Sequence, residues 1–450
     1  MTAADLPPGP RSTLLSTYRA LKSPFEHYRE WQETYGDPYT VPALNGTVVI
    51  TGDPALVQQI FTADADTYDP FAVEASAPLV GDQSVILVAG DRHRRLRKLM
   101  SPPFHGARMR AYGRLMIDVA RRAIARLEPG RPFNALATTQ GISLEIIVRA
   151  VFGVDDPARI ATFERAMIET MEAVHPAFLF AKALQREFFG VGPFAKFKRR
   201  RDAALALLDA QIAACRADPT GREDILAMLV QARGEDGASL DDHEIRDQLV
   251  TLLIAGHETT AIGLAWALYH LHRHPEALAR LRAELDGLGD AIGRDEGPEQ
   301  IVALPYLNAV CNETLRLNPI VPDVVRVLRR PLELGRYTLP AGTPVCPAAA
   351  LVHQRPDLYP DPDAWRPERF LERKFSPFEF IPFGGGHRRC IGAAFALYEM
   401  KLVLAVFVQT GRFRLGSDDP LKPVRRNITM APEGGVELIY EGPGGRGSAH

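Results

Sequence analysis

The feature that most constrains this chain is an apolar stretch, QLVTLLIAGHETTAIGLAWALYHL, at residues 248 to 271. It approaches the length of a membrane-spanning helix. However, His257 and Glu258 lie at its centre, and ionisable side chains are costly to bury in lipid. We therefore predict a long helix inside a protein core, with polar chemistry at its middle.

The overall composition is that of a soluble globular protein. Of the 450 residues, 46% are hydrophobic and 24% are charged, which predicts a sizeable core rather than disorder. No low-complexity linker divides the chain, so we expect a single domain over residues 1–450. The formal net charge of -2 favours neither nucleic acid nor a membrane surface as a partner.

The local sequence patterns predict a mainly α fold with small β-sheets. Residues 36 to 62 are strand-like around an Asn45–Gly46 turn, a good hairpin signal. Residues 90 to 285 show apolar side chains at three- and four-residue spacing, which indicates helices. We expect short strands from 320 to 350, a helix at 393–410 and short strands that close the chain.

Cysteine usage indicates a reducing, cytoplasmic environment. The four cysteines are scattered, without a C-x-x-C pair, at Cys215, Cys311, Cys346 and Cys390. This pattern disfavours a disulfide framework and a structural zinc site. The N-terminal segment contains prolines and lacks a basic region followed by an apolar one. We therefore expect neither a signal peptide nor a transmembrane anchor.

Cys390 lies in the unusual segment FGGGHRRCIG, residues 383 to 392, just before the expected last helix. The helix dipole and the adjacent Arg388 and Arg389 favour its thiolate. The glycines leave room for backbone amides, and for a flat group that the sulfur binds. These residues support a nucleophile and a metal ligand equally, and an inert buried cysteine is a commoner use of a lone cysteine.

Two distant segments carry further polar residues at helical spacing. In AGHETT, residues 255 to 260, the acid Glu258 precedes Thr259, an arrangement that suits a proton relay but also a kinked or solvated helix. In NETLRLNP, residues 312 to 319, Glu313 and Arg316 share a helix face. Such a pair is ordinarily a weak surface ion pair.

Together, and in this order, these segments resemble the cytochrome P-450 superfamily of heme-thiolate monooxygenases, in particular the soluble bacterial type. The heme-binding pattern F-x-x-G-x-R-x-C-x-G is met by Phe383, Gly386, Arg388, Cys390 and Gly392. The oxygen-binding pattern [AG]-G-x-[DE]-T-T is matched by Ala255, Gly256, Glu258, Thr259 and Thr260. The E-x-x-R pattern and its later arginine are matched by Glu313, Arg316 and Arg369.

The resemblance extends to residues that bind the heme propionates. His93 and Arg97 match the family's H-x-x-x-R helix, and Arg326 falls by position where a further arginine is placed. The implied fold is an α-rich prism that encloses heme b between a long central helix and the cysteine loop. The implied cofactor-binding residues are His93, Arg97, Ala255, Arg326, Phe383, Arg388, Cys390 and Gly392, with Cys390 as the metal ligand.

The remaining roles also follow from the resemblance. Glu258 and Thr259 would supply protons, as the catalytic residues of the protein chain, and Glu313, Arg316 and Arg369 would form a structural triad. Family position places residues 71–88 and 175–200 over the substrate pocket, where apolar side chains also pack helices together. By position, the pocket candidates are Val85, Ile86, Ala255 and Val325.

The implied activity is the hydroxylation or epoxidation of a lipophilic small molecule such as a terpene, steroid, fatty acid or polyketide. It consumes O2 and two electrons. About 60 residues follow Cys390, so we expect no fused reductase but a separate ferredoxin or flavodoxin with its reductase. An acidic partner of that kind suits the basic run Arg92, Arg94, Arg95, Arg97 and Lys98, with Arg389. We expect a monomer.

Two other kinds of function compete with this interpretation. A peroxygenase on the same fold would take hydrogen peroxide directly, although the Glu258–Thr259 pair argues against it because such relatives generally lack the pair. A non-oxygenase, either a cysteine-nucleophile hydrolase or a heme-binding sensor, is the second alternative. The hydrolase would need a histidine paired with Cys390, whereas the sensor would bind heme without turnover.

Overall fold

Helices make up most of the regular structure in this computed structural model, which describes residues 6–43, 46–104, 106–174, 185, 191–235 and 237–444. The helices of the first half are α1 (Thr13–Lys22), α2 (Pro24–Tyr35), α3 (Pro54–Thr62), α4 (Val73–Val80), α5 (Gly90–Met100), α6 (Ala107–Ala125), α7 (Ala135–Ala150), α8 (Pro157–Glu172) and α9 (Pro193–Ala217). Those that follow are α10 (Ile225–Gln231), α11 (Asp242–Arg273), α12 (Pro275–Asp286), α13 (Gly297–Val302), α14 (Pro305–Leu317), α15 (Ala349–Val352), α16 (Arg369–Glu372) and α17 (Ala393–Thr410).

Helix α11, called the central helix below, contains the apolar stretch. It begins with a capping box, in which Asp241 Oδ1 accepts from the Glu244 amide at 2.7 Å and Glu244 Oε2 accepts from the Asp241 amide at 3.2 Å. Beyond this cap it packs against α7, α14 and α17, so most of its faces are apolar and buried. The prediction of a core helix is therefore confirmed.

Two described helices, the central helix and α17, are long and apolar enough to cross a membrane by length and composition. In each, 67% of the most apolar window is buried inside the protein. Core helices of globular proteins have the same properties.

Short strands form four small sheets. The strands are β1 (Tyr39–Ala43), β2 (Gly46–Thr51), β3 (Tyr68–Pro70), β4 (Pro132–Asn134), β5 (Arg326–Leu328), β6 (Leu332–Leu334), β7 (Tyr337–Leu339), β8 (Pro344–Pro347), β9 (Gly411–Leu415), β10 (Pro423–Arg426), β11 (Thr429–Pro432) and β12 (Glu437–Pro443). The largest sheet has the order β1-β2-β8-β5-β3, and smaller ones are β4-β12-β9, β6-β7 and β10-β11. These strands confirm a mainly α fold with small sheets.

The predicted N-terminal hairpin is present. Strands β1 and β2 pair antiparallel in a register that places Tyr39 opposite Ile50 and Ala43 opposite Gly46. Asn45, which the turn prediction used, lies outside the described residues. Strand β2 then pairs in parallel with β8, which brings residues 49–51 and 345–347 into one sheet.

The strand prediction is wrong for residues 54–62, which form helix α3. Asp53 caps this helix, because its Oδ1 accepts from the amides of Ala55 at 2.7 Å and Leu56 at 3.2 Å. Proline at the first helical position is compatible with the cap. The apolar side chains Leu56, Val57, Ile60 and Phe61 are buried on one face. The three- and four-residue spacing of these side chains, rather than the β-branching of Val57 and Ile60, determined the structure.

Two hydrophobic clusters set the position of the cysteine segment. The larger one joins the central helix to α6, α7, α14 and α17. The second, called the sheet cluster below, contains α3 and the strands β2, β3, β5 and β8, with Ile381 at its edge. Residues 383–392, called the cysteine loop below, start two residues after Ile381 and end one residue before α17. The loop therefore lies at the junction of the two clusters.

Candidate active site

The cysteine loop is a tight backbone turn. The Cys390 amide donates to the carbonyl of Phe383 at 2.9 Å, and a short 3₁₀ turn spans Gly386–Arg388. Gly392 is the N-cap of α17, and its amide points at the Cys390 sulfur. The loop thus presents the sulfur beside a helix N-terminus, as the sequence predicted.

Two glycines of the loop make room for a neighbouring helix, and the predicted clearance around a flat group stays a prediction. A Cβ on Gly385 would lie 2.2 Å from the ring of Phe61, and one on Gly386 would lie 2.2 Å from the Phe61 carbonyl oxygen. Gly386 also has a φ of +63°, which side-chain-bearing residues rarely adopt. These two glycines therefore let the cysteine loop press against α3.

Cys390 differs from the other three cysteines in its exposure. Cys215, Cys311 and Cys346 are buried, whereas Cys390 is exposed. Its sulfur still lies deep enough for desolvation to raise the pKa of the thiol, while the Gly392 amide and the charges of Arg97 and Arg389 lower it. Of the two arginines predicted to favour the thiolate, Arg389 acts in that direction, and Arg97 takes the place expected of Arg388, but desolvation outweighs both. An accessible sulfur in such a setting is suited to binding a metal, which deprotonates a coordinating thiol.

Four predicted cofactor-binding residues converge around the cysteine loop. Arg97 donates from Nη1 to the Arg389 carbonyl at 2.6 Å, and Arg326 donates from Nη2 to the Gly385 carbonyl at 2.7 Å. Arg388 donates from Nη2 to the Val88 carbonyl at 2.6 Å. Their neighbour His93 is buried, and burial together with the arginine charges lowers its pKa to about 4.

The charge of this cluster is poorly compensated by the protein. Arg326 is 3% exposed, and its Nε has no hydrogen-bond partner among the described residues. The faces of Phe61 and Tyr68 lie 4.9 and 5.5 Å from its guanidinium. Burial, and secondarily Arg388, lowers the pKa of Arg326 to about 10. A group that carries carboxylates fits here. Its charge-assisted hydrogen bonds would satisfy the buried arginine donors and would also compensate their positive charge.

The central helix carries the predicted proton-supplying residues. Thr259 donates from Oγ1 to the Ala255 carbonyl at 2.7 Å. Glu258 is half-buried and its Oε1 lies 3.8 Å from Nε of Arg426. Burial raises the pKa of Glu258, and Arg426 lowers it. Sequence patterns missed Arg426, which comes from β10 and has no motif around it.

Exposed apolar side chains on the central helix and on two other segments are the candidates for a pocket lining. Ile254 is 37% exposed and the adjacent Ala255 is also exposed, although both lie in the middle of a core helix. Ile86 is 46% exposed and Val324 is 37% exposed. Apolar walls of this kind are typical of pockets for small lipophilic molecules.

The four pocket candidates have unequal positions. Ile86 and Ala255 are exposed and Val325 is half-buried, whereas Val85 is 5% exposed and packs in the larger cluster. Position along the chain could not show this difference. Most of the 175–200 segment, namely residues 175–184 and 186–190, lies outside the described residues.

The Glu313, Arg316 and Arg369 side chains form a buried network. Arg316 donates from Nε and Nη2 to the two oxygens of Glu313 at 2.7 and 2.8 Å. Arg369 donates from Nε to Glu313 Oε1 at 3.1 Å, and the Arg366 amide donates to the same oxygen at 2.8 Å. All three side chains are 3% exposed or less. A buried bidentate pair of this kind is much stronger than the exposed surface ion pair that the sequence spacing alone predicts.

The network is connected to the cysteine loop through one histidine. Arg316 donates from Nη1 to the His353 carbonyl at 2.8 Å, and the Ile381 amide donates to His353 Nε2 at 2.9 Å. Burial lowers the pKa of His353 to about 3, so the ring is neutral and can accept. Tyr359 adds a bond from its hydroxyl to the Glu379 carbonyl at 2.8 Å. The segment that leads into the cysteine loop is thus held in place by His353 and Tyr359.

The cytochrome P450 family model matches residues 6–438 of this sequence. The chain belongs to the cytochrome P450 family. It is 38% identical over 444 residues to putative cytochrome P450 135B1 of Mycobacterium bovis, covering 97% of this chain and 92% of the relative. It is 37% identical over 414 residues to putative cytochrome P450 137 of Mycobacterium tuberculosis, covering 90% and 83% of the two chains.

Solved cytochrome P450 structures share the fold. A retinoic acid bound cyanobacterial CYP120A1 has a TM-score of 0.84 and 25% identity, over 98% of this chain and all of the other. The cytochrome P450DA heme domain has a TM-score of 0.84 and 23% identity over 98% of each chain. The cytochrome P450 family binds heme b and comprises monooxygenases. This chain is therefore a heme-thiolate oxidoreductase.

The predicted basic run of this cytochrome P450 is largely paired with acids. Arg94 lies 2.9 Å from Asp66, Arg95 lies 3.1 Å from Glu244, and Lys98 contacts Glu235. The sequence could not show these partners, because Glu244 and Glu235 follow far along the chain. Pairing lowers the net positive charge that this run offers to an acidic protein.

Proposed function

We propose that this cytochrome P450 hydroxylates or epoxidises a lipophilic small molecule, using O2 and two electrons from a separate protein. The observation that carries the proposal is the accessible Cys390 surrounded by buried donors with uncompensated charge. Cys390 would be the iron ligand, with Ala255, Phe383 and Gly392 against the macrocycle. His93, Arg97, Arg326 and Arg388 would bind the propionates. When bound, the heme supplies the activation of dioxygen, which is the cofactor's own chemistry.

The residues of the chain would then position groups and move protons. The Thr259 hydroxyl is oriented by its hydrogen bond to the Ala255 carbonyl. In this orientation it would hold a proton-donating group beside the central helix, in the substrate pocket. Burial raises the pKa of Glu258 above its ordinary value, which favours a carboxyl that takes part in proton transfer. Arg426 would hold that carboxyl when it is ionised. Glu313, Arg316 and Arg369 would keep the cysteine loop in place without contacting substrate.

The proposed substrate class rests on the apolar candidates for the pocket lining. Ile86, Ala255 and Val325 would line the pocket, together with Ile254 and Val324, which sequence position did not indicate. The structurally similar cyanobacterial protein is described as bound to retinoic acid, which supports a lipophilic ligand of comparable polarity. Terpenes, steroids, fatty acids and polyketides share this chemistry.

Electron supply, organisation and location are proposed as follows. The partner is a ferredoxin or flavodoxin with its reductase, and exposed Arg389 on the cysteine loop would contribute to its docking. The chain would work as a monomeric heme domain over residues 1–450, in the cytoplasm, and would receive its electrons from that separate protein. It has no nucleic-acid partner. The scattered cysteines, of which three are buried and unpaired, support a reducing compartment.

The reduced, carbon-monoxide-bound protein tests the proposal. We expect the red-shifted Soret band of thiolate ligation in the purified protein and in Cys215→Ala, and its loss in Cys390→Ala. Persistence of the band in Cys390→Ala would exclude Cys390 as the ligand. Turnover that needs NAD(P)H and redox proteins supports the monooxygenase, whereas turnover with hydrogen peroxide alone would favour a peroxygenase.

A further inference from the structure

Gln248 is a fully buried glutamine in the second turn of the central helix, and no role was predicted for it from the sequence. Its Oε1 accepts from the Val85 amide at 2.9 Å, and its Nε2 donates to the Gln83 carbonyl at 2.8 Å. The side chain thus pairs with residues 83–85 much as a neighbouring strand would. Because the site is buried, loss of this side chain would leave an amide and a carbonyl unsatisfied.

Neighbouring positions of the central helix hold the same segment. Thr251 Oγ1 lies 2.7 Å from Ser84 Oγ, and both side chains are buried. Asp247 Oδ2 accepts from the Gln83 amide at 2.9 Å. Residues 82–88, called the clamped segment below, are therefore tied to the central helix at three consecutive residues, with Gln248 at the centre.

The other end of the clamped segment is tied to the cysteine loop. Arg388 donates to the Val88 carbonyl at 2.6 Å and to the Ile86 carbonyl at 3.4 Å. Between the two attachments lies the Ile86 side chain, 46% exposed in a region where both flanking residues are buried. The backbone that orients Ile86 is thus fixed by Gln248 on one side and by Arg388 on the other.

We infer that Gln248 is a positioning residue that sets the shape of the substrate pocket by fixing the clamped segment. The inference deepens the proposed function, since it rests on Ile86 being a wall of that pocket. Release of residues 83–85 would let Ile86 move and would weaken the support of the Arg388 guanidinium. Gln248 itself need not touch the substrate.

The variant Gln248→Met removes the two hydrogen bonds to residues 83–85, together with a bond from Nε2 to the Glu244 carbonyl at 3.2 Å, while it keeps the volume of the side chain. Gln211→Met is the matched control. Gln211 is equally buried and donates to the Phe152 carbonyl at 2.8 Å, but it lies on α9 and holds a different part of the chain. Both variants lose buried hydrogen bonds, so a general loss of stability affects both.

Two measurements on the heme-loaded protein separate a positioning role from a structural one. Amide hydrogen exchange should become faster in peptides that contain Val85 in Gln248→Met, and stay unchanged there in Gln211→Met. The affinity for 4-phenylimidazole, followed by the shift of the Soret band, should fall about tenfold in Gln248→Met, within the usual range of coupling between parts of a site. Gln211→Met should bind the azole like the original protein.

Equal azole affinity in Gln248→Met and the original protein would overturn the inference, as would an equal loss in Gln211→Met. Should Gln248→Met not yield folded protein, Thr251→Val removes the bond to Ser84 and is expected to shift both measurements in the same direction by a smaller amount. The carbon-monoxide spectrum is recorded throughout. Absence of the thiolate band in the original protein contradicts the proposed function, whereas a normal band with unchanged azole binding contradicts the role of Gln248 alone.

Discussion

Replacement of Glu313 by glutamine tests whether the buried network holds the cysteine loop. The Glu313 carboxylate accepts from two nitrogens of Arg316, from Nε of Arg369 and from the Arg366 amide. A neutral amide leaves both buried guanidinium groups without a counter-charge. Breaking a buried ion pair from one side costs about 3–5 kcal/mol.

The expected change in melting temperature follows from the size of the chain. The entropy of unfolding is about 2.1 cal/mol/K per residue, so 450 residues unfolding as one unit correspond to about 0.9 kcal/mol/K. Glu313→Gln should therefore lower the melting temperature by roughly 3–5 °C. The network reaches Ile381, just before the cysteine loop, through His353. In a fraction of the Glu313→Gln molecules, the reduced protein should therefore also lack the thiolate band in the carbon-monoxide spectrum.

Scanning calorimetry of the heme-loaded protein measures the first effect and the carbon-monoxide spectrum the second. Asp357→Asn is the control, because the Asp357 side chain is 58% exposed and forms a pair with Arg355 at 2.8 Å. Exposed pairs contribute about 0–1 kcal/mol, so this variant should melt within about 1 °C of the original protein. A similarly small change in Glu313→Gln, with an intact spectrum, would refute the proposed role of the network.

Three further predictions concern single residues. Thr259→Ala should reduce the product formed per electron pair by about 100-fold, the lower end of the contribution of a positioned proton-transfer group. The yield is measured with surrogate redox proteins, and Thr259→Ser should restore much of it; equal yields in both variants would contradict the relay. Arg326→Met should lower the heme-to-protein ratio after gel filtration, whereas the exposed Arg336→Met should not. Burial raises the pKa of Glu399 to about 8, so its carboxyl is protonated in the folded state and ionises in the unfolded state above its ordinary pKa of about 4.3. The stability of the original protein therefore falls as the pH rises towards 8. Glu399→Gln should melt at a higher temperature than the original protein at pH 8 but not at pH 4.5. An equal difference in melting temperature at both pH values would argue against this role of Glu399.

The sequence predicted elements whose signals are local. Helix α17 has the predicted bounds, 393–410, because apolar spacing and the loop before it are both visible in the chain. The motif residues around Cys390 also carried the family resemblance. The prediction was wrong for residues 54–62. Their β-branched residues are typical of a strand, whereas the Asp53 cap and the three- and four-residue spacing of the apolar side chains favour a helix.

Features that depend on distant partners could not be predicted. Nothing near Glu258 indicates Arg426, and nothing near Gln248 indicates residues 83–85. Val85 and Ile86 are adjacent in sequence, yet the first packs in the core and the second faces open space. Such differences arise when the chain folds back on itself, so a pattern read along one segment does not contain them.

The contact between α3 and the cysteine loop has a consequence for evolutionary variation. Gly384 has a φ of +62° and no protein atom where a Cβ would project, so asparagine, which tolerates that conformation, meets no obstacle from the protein itself. Gly385 and Gly386 have no such freedom, because Phe61 occupies the space. Three successive glycines that look alike in the sequence thus differ in the substitutions that selection can accept. Divergence is expected first at Gly384, and at the other two glycines only together with a change in α3.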